Sequence, residues 1–402
     1  MKTVIRKYHL KVLSDLRDTD LIKVVTGVRR SGKSTLMLQF QELLKNENPD
    51  VSVLPINLDV PEYRFLAEKN WLEIYEFIKQ AVNPNKINYV FLDEVQNIPQ
   101  FEKLLDGLFV HPKIDLYVTG SNAYLLSSEL ATLLTGRAFE IKMLPFSFAE
   151  FFEYTEKQWN RDRAFEEYMK IGGFPEADRL SIVNNVYSFE YLQTVYKNIY
   201  ENDIRKRYDI YSEQSYQEVV HFLIDSAGSS ISAGGIAKAL TNNGKKIDNK
   251  SVSKYIDTLV EAYLFYKVNR YDIKGKQHLT TQGKYYLVDV GFRNALLGKE
   301  LTSDSGHILE NIIYLELLRR GNQVWIGKIG NTEVDFVVRD KEGYTKYIQA
   351  AWSVKDAATL ARELAPFDKI PDHNERILIT MDYETGSRNG VKQINAIDWL
   401  LD

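Results

Sequence analysis

The feature that most constrains this chain is a glycine-rich loop between a short apolar strand and an amphipathic helix. The segment VVTGVRRSGKST covers residues 24–35, and Gly27 to Ser34 fits the pattern G-x-x-x-x-G-K-[ST]. The apolar pattern predicts a strand at 21–26 and a helix at 33–44. Glycines let such a loop curl so that its N–H groups point inward, and the helix N-terminus adds positive potential. The motif therefore predicts a site for a nucleotide phosphate chain.

Individual residues of this loop have predictable roles. Lys33 would neutralise the β- and γ-phosphates, and the hydroxyl of Ser34 would bind Mg²⁺. The other residues expected to contact the nucleotide are Gly27, Arg30, Ser31, Gly32 and Thr35. ATP or ADP together with Mg²⁺ is therefore the expected ligand.

A second motif, NYVFLDEVQNI at 88–98, narrows the kind of nucleotide-binding protein. Residues 89–92 are typical of a buried strand, which ends in Asp93 and Glu94. Ligands of open parallel sheets bind at the carboxyl ends of the strands. We therefore expect Asp93 to bind Mg²⁺ and Glu94 to activate the attacking water as a general base, which favours ATP hydrolysis over a small-molecule kinase.

Polar residues near two further strands are candidates for the same site. The strand at 114–122 ends in Thr119, Ser121 and Asn122. We predict that Asn122 holds the attacking water or the γ-phosphate, although simple turn chemistry explains the segment equally well. Arg137 precedes another strand, and we predict that it reaches the γ-phosphate of a neighbouring subunit; the alternative is an arginine that offsets a helix dipole.

Strands and helices alternate as far as about Leu144, which predicts a parallel α/β sheet. The strand at 51–59 belongs to this sheet and ends in Asp59, which is more typical of a surface carboxylate than of a group that supports the site. After Pro145 the pattern becomes helical and aromatic.

The composition limits the class of protein. The chain has 402 residues, a net charge of −4 and no cysteine, which excludes disulfides, zinc–thiolate sites and cysteine nucleophiles. No apolar run has the length of a membrane span, and the N-terminal segment is too charged for a signal peptide. We expect a soluble cytoplasmic protein.

Several of these segments together resemble a known family. GVRRSGKST, INLD, FLDEVQNIPQFE, VTGSN and TGR, with LPFSFAEFF and IGGFPEA, resemble bacterial and archaeal AAA-type ATPases that carry a C-terminal domain of unknown function. The resemblance covers essentially the whole chain. It implies an α/β fold with four parts: a P-loop AAA+-like ATPase core at 1–148, a helical lid at 149–215, a winged helix at 216–300 and a restriction-endonuclease-like α/β domain at 301–402.

Within the expected lid, residues 172–175 form a Gly-Gly-Phe-Pro break. Related signalling ATPases place a Gly-x-Pro of the lid against the nucleotide base, so the resemblance implies that Pro175 contacts the base. An ordinary interhelical turn remains the alternative. Arg205 and Arg207 follow on a helix, where surface arginines are commoner than nucleotide sensors.

The expected winged helix concentrates positive charge. Residues 228–286 contain ten Lys or Arg against four acids, a surplus of six in a chain whose net charge is −4. Such segregation is typical of a nucleic-acid-binding surface. We predict contacts to the phosphates of double-stranded DNA from the helix lysines Lys250 and Lys254 and the hairpin lysines Lys274 and Lys276. A winged helix that packs against protein is the alternative.

The segments TEVDFVV and YIQAAWS in the C-terminal region resemble a restriction-endonuclease-like fold. That fold uses a helix acid, a strand aspartate and an acid-x-lysine motif, and the matching residues here are Glu310, Asp335 and Gln349, with Ala351 at the lysine position. Because the lysine positions the attacking water, its absence favours a domain that does not cut; Lys355 could substitute for it.

These patterns favour an ATP-hydrolysing, AAA+-related switch or motor directed to DNA, and we expect it to form a homo-oligomer coupled through Arg137. One alternative is a signalling-type nucleotide switch that binds protein partners. Another is an ATP-gated nuclease of a defence or mobile-element system.

Overall fold

The computed structural model describes residues 3–58, 60–123, 136–155, 158–298 and 305–402, so Asp59 lies outside the described residues. The chain forms two units. The first consists of Met1–Met143 with Glu261–Tyr263, and the second of Leu144–Val260 with Leu264–Asp402.

The first unit contains a five-stranded parallel sheet, which confirms the predicted α/β fold. The strand order is β2-β3-β4-β1-β5, with β1 (Ile22–Thr26), β2 (Ser52–Asn57), β3 (Asn88–Asp93), β4 (Ile114–Gly120) and β5 (Ala138–Lys142). Every residue of β1 and β3 is buried, as expected when helices cover both faces of a parallel sheet. These helices are α1 (Lys7–Asp15), α2 (Lys33–Glu47), α3 (Pro61–Arg64), α4 (Trp71–Ala81) and α5 (Phe101–Phe109).

Alternating side chains of the strands pack into two separate hydrophobic cores. Val24 and Leu92 pack with the apolar face of α4 and α5, where Ile74 and Leu104 are fully buried. Neighbouring strand residues point to the other face and pack against α1 and α2. Because all five strands are parallel, their carboxyl ends meet at one edge, and β4 lies there between β1 and β3. The order of the strands therefore brings the two sequence motifs together.

The second unit begins with helices packed through aromatic side chains. Phe148 and Phe151 of the first helix contact Tyr168 of the second at ring distances of 5.7 and 5.3 Å. A π-helix (Tyr200–Arg205) directly follows the fourth helix of this unit, which ends at Ile199. The helices of this unit are α6 (Phe148–Tyr154), α7 (Arg161–Ile171), α8 (Pro175–Ser181), α9 (Asn185–Ile199), α10 (Glu213–Asp225), α11 (Ala233–Asn242), α12 (Asn249–Glu261), α13 (Gly291–Leu297), α14 (Ser305–Arg319), α15 (Ala357–Asp368) and α16 (Ala396–Leu401). In the described parts of the chain, no helix is long and apolar enough to cross a membrane.

One mixed sheet runs through the second unit. Its strands are β6 (Ser230–Ile231), β7 (Phe265–Asp272), β8 (Gln277–Leu287), β9 (Gln323–Ile329), β10 (Thr332–Arg339), β11 (Thr345–Ala351), β12 (Glu375–Thr380), β13 (Gly386–Arg388) and β14 (Val391–Asn395). Their order in the sheet is β13-β14-β12-β11-β10-β9-β7-β8-β6. The hairpin β7–β8 enters this sheet because β7 pairs in parallel with β9 at Arg270 and Ile326. The division of this unit into lid, winged helix and endonuclease-like domain stays a prediction.

Candidate functional site

The glycine-rich loop leaves β1 through a backbone geometry that only glycine accepts. Gly27 has a φ of 148°, and a Cβ at this position would lie 2.0 Å from the carbonyl oxygen of Met143. The loop ends at Gly32, which caps α2 without a side-chain hydrogen bond. The N–H groups of the first turn of a helix have no partner within the helix, so this turn offers donors to an anion.

Lys33 starts α2 and is buried. Its Nζ donates hydrogen bonds to the carbonyl oxygens of Gly27 (3.0 Å) and Val28 (3.2 Å). The same Nζ lies 3.7 Å from Oε1 of Glu94. The lysine charge is thus held between the loop and the end of β3.

Asp93 ends β3 and is surrounded by donors. Nδ2 of Asn57 donates to its carboxylate at 2.9 Å, and the hydroxyls of Thr119 and Ser34 also hydrogen-bond it. Burial raises the pKa of Asp93 by more than these hydrogen bonds lower it. A carboxylate that is costly to leave charged without a cation suits the role predicted for Asp93 as a Mg²⁺ ligand.

Glu94 follows Asp93 with a left-handed backbone, at a φ of 54°. Its N–H donates to Oγ1 of Thr119 at 2.8 Å, and Gln96 and Ser121 hydrogen-bond its side chain. Burial alone would raise the pKa of Glu94, but the charges of Lys33 and Arg29 and these hydrogen bonds outweigh it, so the pKa is lowered. Glu94 is therefore ionised at neutral pH, as a general base must be.

Several residues of this site were not singled out by the sequence reasoning. The sequence presents Thr119 only as one of three polar residues at a strand end, yet its hydroxyl contacts both acidic residues of the motif. Asn57 lies opposite Asp93 in the register of β2 and β3, so the rule that ligands sit at carboxyl strand ends was the signal for it. No pattern distinguishes Arg29 from Arg30, although only Arg29 influences Glu94 and Arg30 is exposed.

The other loop residues fit a nucleotide with Mg²⁺. The hydroxyl of Ser31 is buried without a hydrogen-bond partner in the described structure, whereas Ser34 and Thr35 are exposed. A pocket of about 80 Å³ is lined in part by Ser34, Asn57 and Asp93, which leaves room for several water molecules. The hydroxyl of Ser31 and the N–H groups of the first turn of α2 can donate hydrogen bonds to a phosphate. The side-chain oxygens that line the pocket are ligands suited to a hard cation.

Asn122 and Arg137 occupy different positions in the first unit. Asn122 is fully buried just after β4, near the edge where the two acids lie. Arg137 precedes β5, and its guanidinium pairs with Asp106 and lies 5.3 Å from the centre of the Phe109 ring. Arg137 is thus at the amino end of the parallel sheet, away from the loop of its own unit.

The Gly-Gly-Phe-Pro segment is held by the second unit itself. The N–H of Gly173 donates to Asp289 at 2.7 Å, and its carbonyl accepts from the N–H of Phe146 at 2.7 Å. Phe174 is buried edge-to-face against Phe292. Pro175 is half-buried and starts α8. Its contact with a nucleotide base stays a prediction.

The four lysines predicted to contact DNA are all exposed: Lys250, Lys254, Lys274 and Lys276. Lys254 donates one hydrogen bond, to the carbonyl of Asp209 at 3.1 Å. The hairpin lysines lie in the turn between β7 and β8, on either side of Gly275. Arg205 pairs with Glu201 at 3.3 Å on the π-helix.

The endonuclease-like residues come together on α14, β10 and β11. Gln349 accepts from the N–H of Asp335 at 2.7 Å, while its Nε2 donates to Glu363 at 3.2 Å. Asp335 accepts from the N–H of Ala350 at 2.9 Å. Burial and the nearby Glu310 raise the pKa of Asp335.

The candidate replacement lysine is not part of this cluster. Ala351 is buried, and Lys355 is exposed and has no ion pair within the described residues. Instead, Lys284 of β8 lies 2.8 Å from Glu310 and 2.8 Å from Glu333. Burial would lower the pKa of Lys284, but the neighbouring carboxylates outweigh it and raise the pKa. Sequence reasoning counted Lys284 only as surface charge, because no spacing rule connects β8 to α14.

Comparisons with known proteins identify the family of the chain. Residues 19–152 match the family model of an AAA domain, and residues 162–303 match a domain of unknown function. An uncharacterized protein of Haemophilus influenzae is 36% identical over 401 residues, covering 98% of each chain. An uncharacterized protein of Methanocaldococcus jannaschii is 28% identical over 362 residues, covering 87% of this chain and 78% of the archaeal one.

Among solved structures, the chain is similar to the Walker-type ATPase of Pyrococcus abyssi. The TM-score is 0.49 at 15% sequence identity, and the match covers 73% of this chain and 96% of the other.

Proposed function

We propose that this chain, which belongs to a family of AAA-type ATPases with a C-terminal domain of unknown function, hydrolyses ATP and acts as a switch or motor directed to double-stranded DNA. The AAA domain supports the first part. The segregated charge and exposed lysines of the second unit support the second part.

The observation that carries the proposal is the arrangement of the two acids around one hydroxyl. The hydroxyl of Thr119 donates a hydrogen bond to the carboxylate of Asp93 and accepts one from the N–H of Glu94. One side chain therefore positions both residues at the end of β3. Glu94 has a lowered pKa and would take a proton from the water that attacks the γ-phosphate. Lys33 would neutralise the charge of the phosphates.

The divalent cation would be held by Ser34 and Asp93. The hydroxyl of Ser34 hydrogen-bonds the Asp93 carboxylate, so both oxygens can face one small cation. When bound, Mg²⁺ neutralises the charge that develops on the phosphate oxygens. The raised pKa of Asp93 would fall on binding, because a nearby positive charge favours the ionised carboxylate.

The DNA surface would be formed by α12 and the β7–β8 hairpin. Lys250 on the helix and Lys274 and Lys276 at the turn are exposed and extend from two adjacent elements of the chain. Lysines placed this way contact phosphates without reading bases. The expected binding is therefore weak in sequence preference and strongly dependent on salt.

The test is the ATPase rate of the parent and of Lys33→Ala, measured with and without double-stranded DNA at two salt concentrations. We expect the parent to hydrolyse ATP, DNA to raise the rate more at low salt, and Lys33→Ala to lose nucleotide affinity in calorimetry. A parent rate no higher than that of Lys33→Ala would contradict the ATPase assignment. A rate that DNA never changes, with ADP bound tightly after purification, would instead favour a switch with protein partners.

A further inference from the structure

Lys284 lies in the centre of the carboxylates of the endonuclease-like region. Its side chain is only 6% exposed, and its Nζ is 2.8 Å from Glu310, 2.8 Å from Glu333 and 3.9 Å from Asp335. These acids come from α14 and β10, whereas Lys284 comes from β8. A buried ammonium is stable only when it is paired, so the three acids and this lysine form one ionic group.

Other donors also contact the same carboxylates. Tyr286 donates to Oε1 of Glu310 at 2.6 Å. Ser230 and Arg270 contact Oε2 of Glu333 at 3.1 and 3.3 Å. The carboxylate of Asp335 accepts from the N–H of Ala350. Each acid therefore already has a protein donor besides Lys284.

The surroundings of Nζ distinguish a catalytic role for Lys284 from a role as a buried counter-cation. A catalytic lysine must reach a water or phosphate, but the Nζ of Lys284 is buried and engaged by two carboxylates at hydrogen-bond distance. The positive charges of Lys284 and Arg270 also neutralise most of the negative charge of the group. Within the described residues, and with Lys284 lying among the acids, no group of three or more histidine and acidic side chains could hold a metal ion.

We propose that Lys284 is the resident cation of this cluster and occupies the place where an endonuclease-like fold would bind a divalent metal. The site is then closed by the chain's own lysine, and Mg²⁺ does not enter while Lys284 is in place. This explanation for an inactive nuclease fold is separate from the alanine at position 351 and does not depend on ATP hydrolysis.

The same ion pairs connect β8 with β10, two strands that do not pair with each other in the sheet. In the strand order, β9 and β7 separate β10 from β8, yet Lys284 of β8 contacts Glu333 and Asp335 of β10. The hairpin that carries Lys274 and Lys276 is thus attached to the C-terminal strands by charge as well as by the short pairing of β7 with β9. Lys284 therefore has a positioning role for the hairpin.

The test measures Mn²⁺ binding to nucleotide-free protein by electron paramagnetic resonance. We expect Lys284→Ala to gain about one Mn²⁺ per chain relative to the parent, and Lys284→Ala with Asp335→Asn to lose that gain. Lys276→Ala, which removes an exposed lysine of the same hairpin, should bind as the parent does. A folded Lys284→Ala that gains no Mn²⁺, or a parent that already binds Mn²⁺ in a manner lost in Asp335→Asn, would overturn the proposal.

Thermal unfolding gives a second measurement that does not depend on metal binding. Removing Lys284 leaves buried carboxylates uncompensated, so Lys284→Met should lower Tm. Lys284→Met with Glu310→Gln removes one surplus charge and should recover part of that loss, whereas an exposed change, Glu342→Gln, should recover none. A double variant no more stable than Lys284→Met contradicts the role as counter-cation.

Plasmid cleavage separates this role from catalysis. The parent, Asp335→Ala, Lys355→Ala and Lys284→Ala are incubated with supercoiled plasmid and Mn²⁺. We expect no cleavage by the parent. Cleavage by the parent that Lys284→Ala abolishes would make Lys284 a catalytic residue and overturn the proposal.

Discussion

Thr119 is the residue on which the geometry of the proposed ATPase site depends most directly. Replacing it with valine keeps the shape but removes the hydroxyl that contacts Asp93 and the N–H of Glu94. Hydrogen bonds to charged groups contribute about 1.5–3 kcal/mol, so Thr119→Val should lower kcat for ATP hydrolysis by roughly 10- to 100-fold. Thr119→Ser restores the hydroxyl and should recover most of the rate. A Thr119→Val protein with the parent rate would show that the hydroxyl is not needed.

Glu94 tests the chemical step itself. Glu94→Gln preserves the side-chain shape but cannot accept a proton, so turnover should fall by about 10²- to 10⁴-fold while nucleotide affinity is retained. Phosphate release and calorimetry measure the two quantities separately. Because the pKa of Glu94 is lowered, the parent should also keep its rate to a lower pH than an ordinary glutamate base would allow. Hydrolysis by Glu94→Gln at the parent rate would remove Glu94 from this role.

At the scale of single residues, the sequence predicts the site residues that belong to a local motif with a fixed spacing. Lys33, Asp93 and Glu94 follow from motifs in which a loop or a strand end fixes the position of each side chain. Thr119 needed knowledge of which strand lies beside β3, and the order β3-β4-β1 is a property of the whole sheet. Lys284 needed the folded second unit, because its partners are 26 to 51 positions away along the chain.

Among the elements, the turn before α8 depends on close backbone packing. A Cβ on Gly173 would lie 2.3 Å from the carbonyl oxygen of Phe146, which is backbone and cannot move aside cheaply. Gly173→Ala should therefore lower Tm by several degrees, about the effect of an overpacked core position. The matched control is Gly306→Ala on α14, where a Cβ meets nothing within 4 Å and alanine favours the helix. Equal Tm values for the two variants would contradict the packing argument.

The helix α12 is the element that tests the DNA surface. Lys250→Glu with Lys254→Glu removes two exposed positive charges and introduces two that repel phosphates. We expect affinity for double-stranded DNA to fall, and the slope of log K against log salt to decrease by about two. Basal ATPase activity should be unchanged.

The control for that variant is Lys197→Glu with Lys392→Glu, which alters the net charge equally through two exposed lysines of α9 and β14. This pair should bind DNA nearly as the parent does. Similar losses in both double variants would indicate that only net charge matters and that α12 is not the binding element.

Element prediction succeeded where the pattern is local. Alternating apolar strands and amphipathic helices identify the parallel sheet, and the Lys-Gly-Lys turn identifies the β7–β8 hairpin. The inclusion of that hairpin in one sheet with the C-terminal strands was not predictable, because only three residues of β7, Arg270 to Asp272, pair with β9. So short a pairing leaves no periodic signal.

For the whole molecule, the position of Arg137 bears on its predicted role as an arginine finger between subunits. Arg137 lies at the amino end of β5, and the glycine-rich loop follows the carboxyl end of the adjacent parallel strand β1. Five strand residues at roughly 3.3 Å each separate the two levels by about 17 Å. An arginine side chain cannot cover that distance along the sheet, so Arg137 does not reach a nucleotide at the loop of its own unit. Its predicted role therefore requires a second copy of the chain.

The expected result is a loss of ATPase activity in Arg137→Ala without loss of nucleotide affinity. Arginine fingers contribute on the order of 10³-fold or more to kcat, and the loss should appear only at protein concentrations where the parent assembles. Asp106→Asn is the matched control, because it removes the exposed ion pair of Arg137 but keeps the guanidinium. This variant should retain the parent rate.

Mixing two inactive variants decides whether Arg137 acts between subunits. Arg137→Ala keeps Glu94, and Glu94→Gln keeps Arg137, so an interface that combines the site of the first with the arginine of the second contains both groups. Equimolar mixing of the two proteins should therefore restore part of the ATPase rate, in proportion to the fraction of such interfaces.

Mixing either variant with Lys33→Ala shows which subunit supplies the arginine and which supplies the nucleotide site. A Lys33→Ala subunit can supply Arg137 but not a nucleotide site, so it should activate Arg137→Ala and leave Glu94→Gln inactive. An Arg137→Ala protein that no partner activates, or that hydrolyses ATP at the parent rate alone, would contradict a finger supplied by a neighbouring subunit.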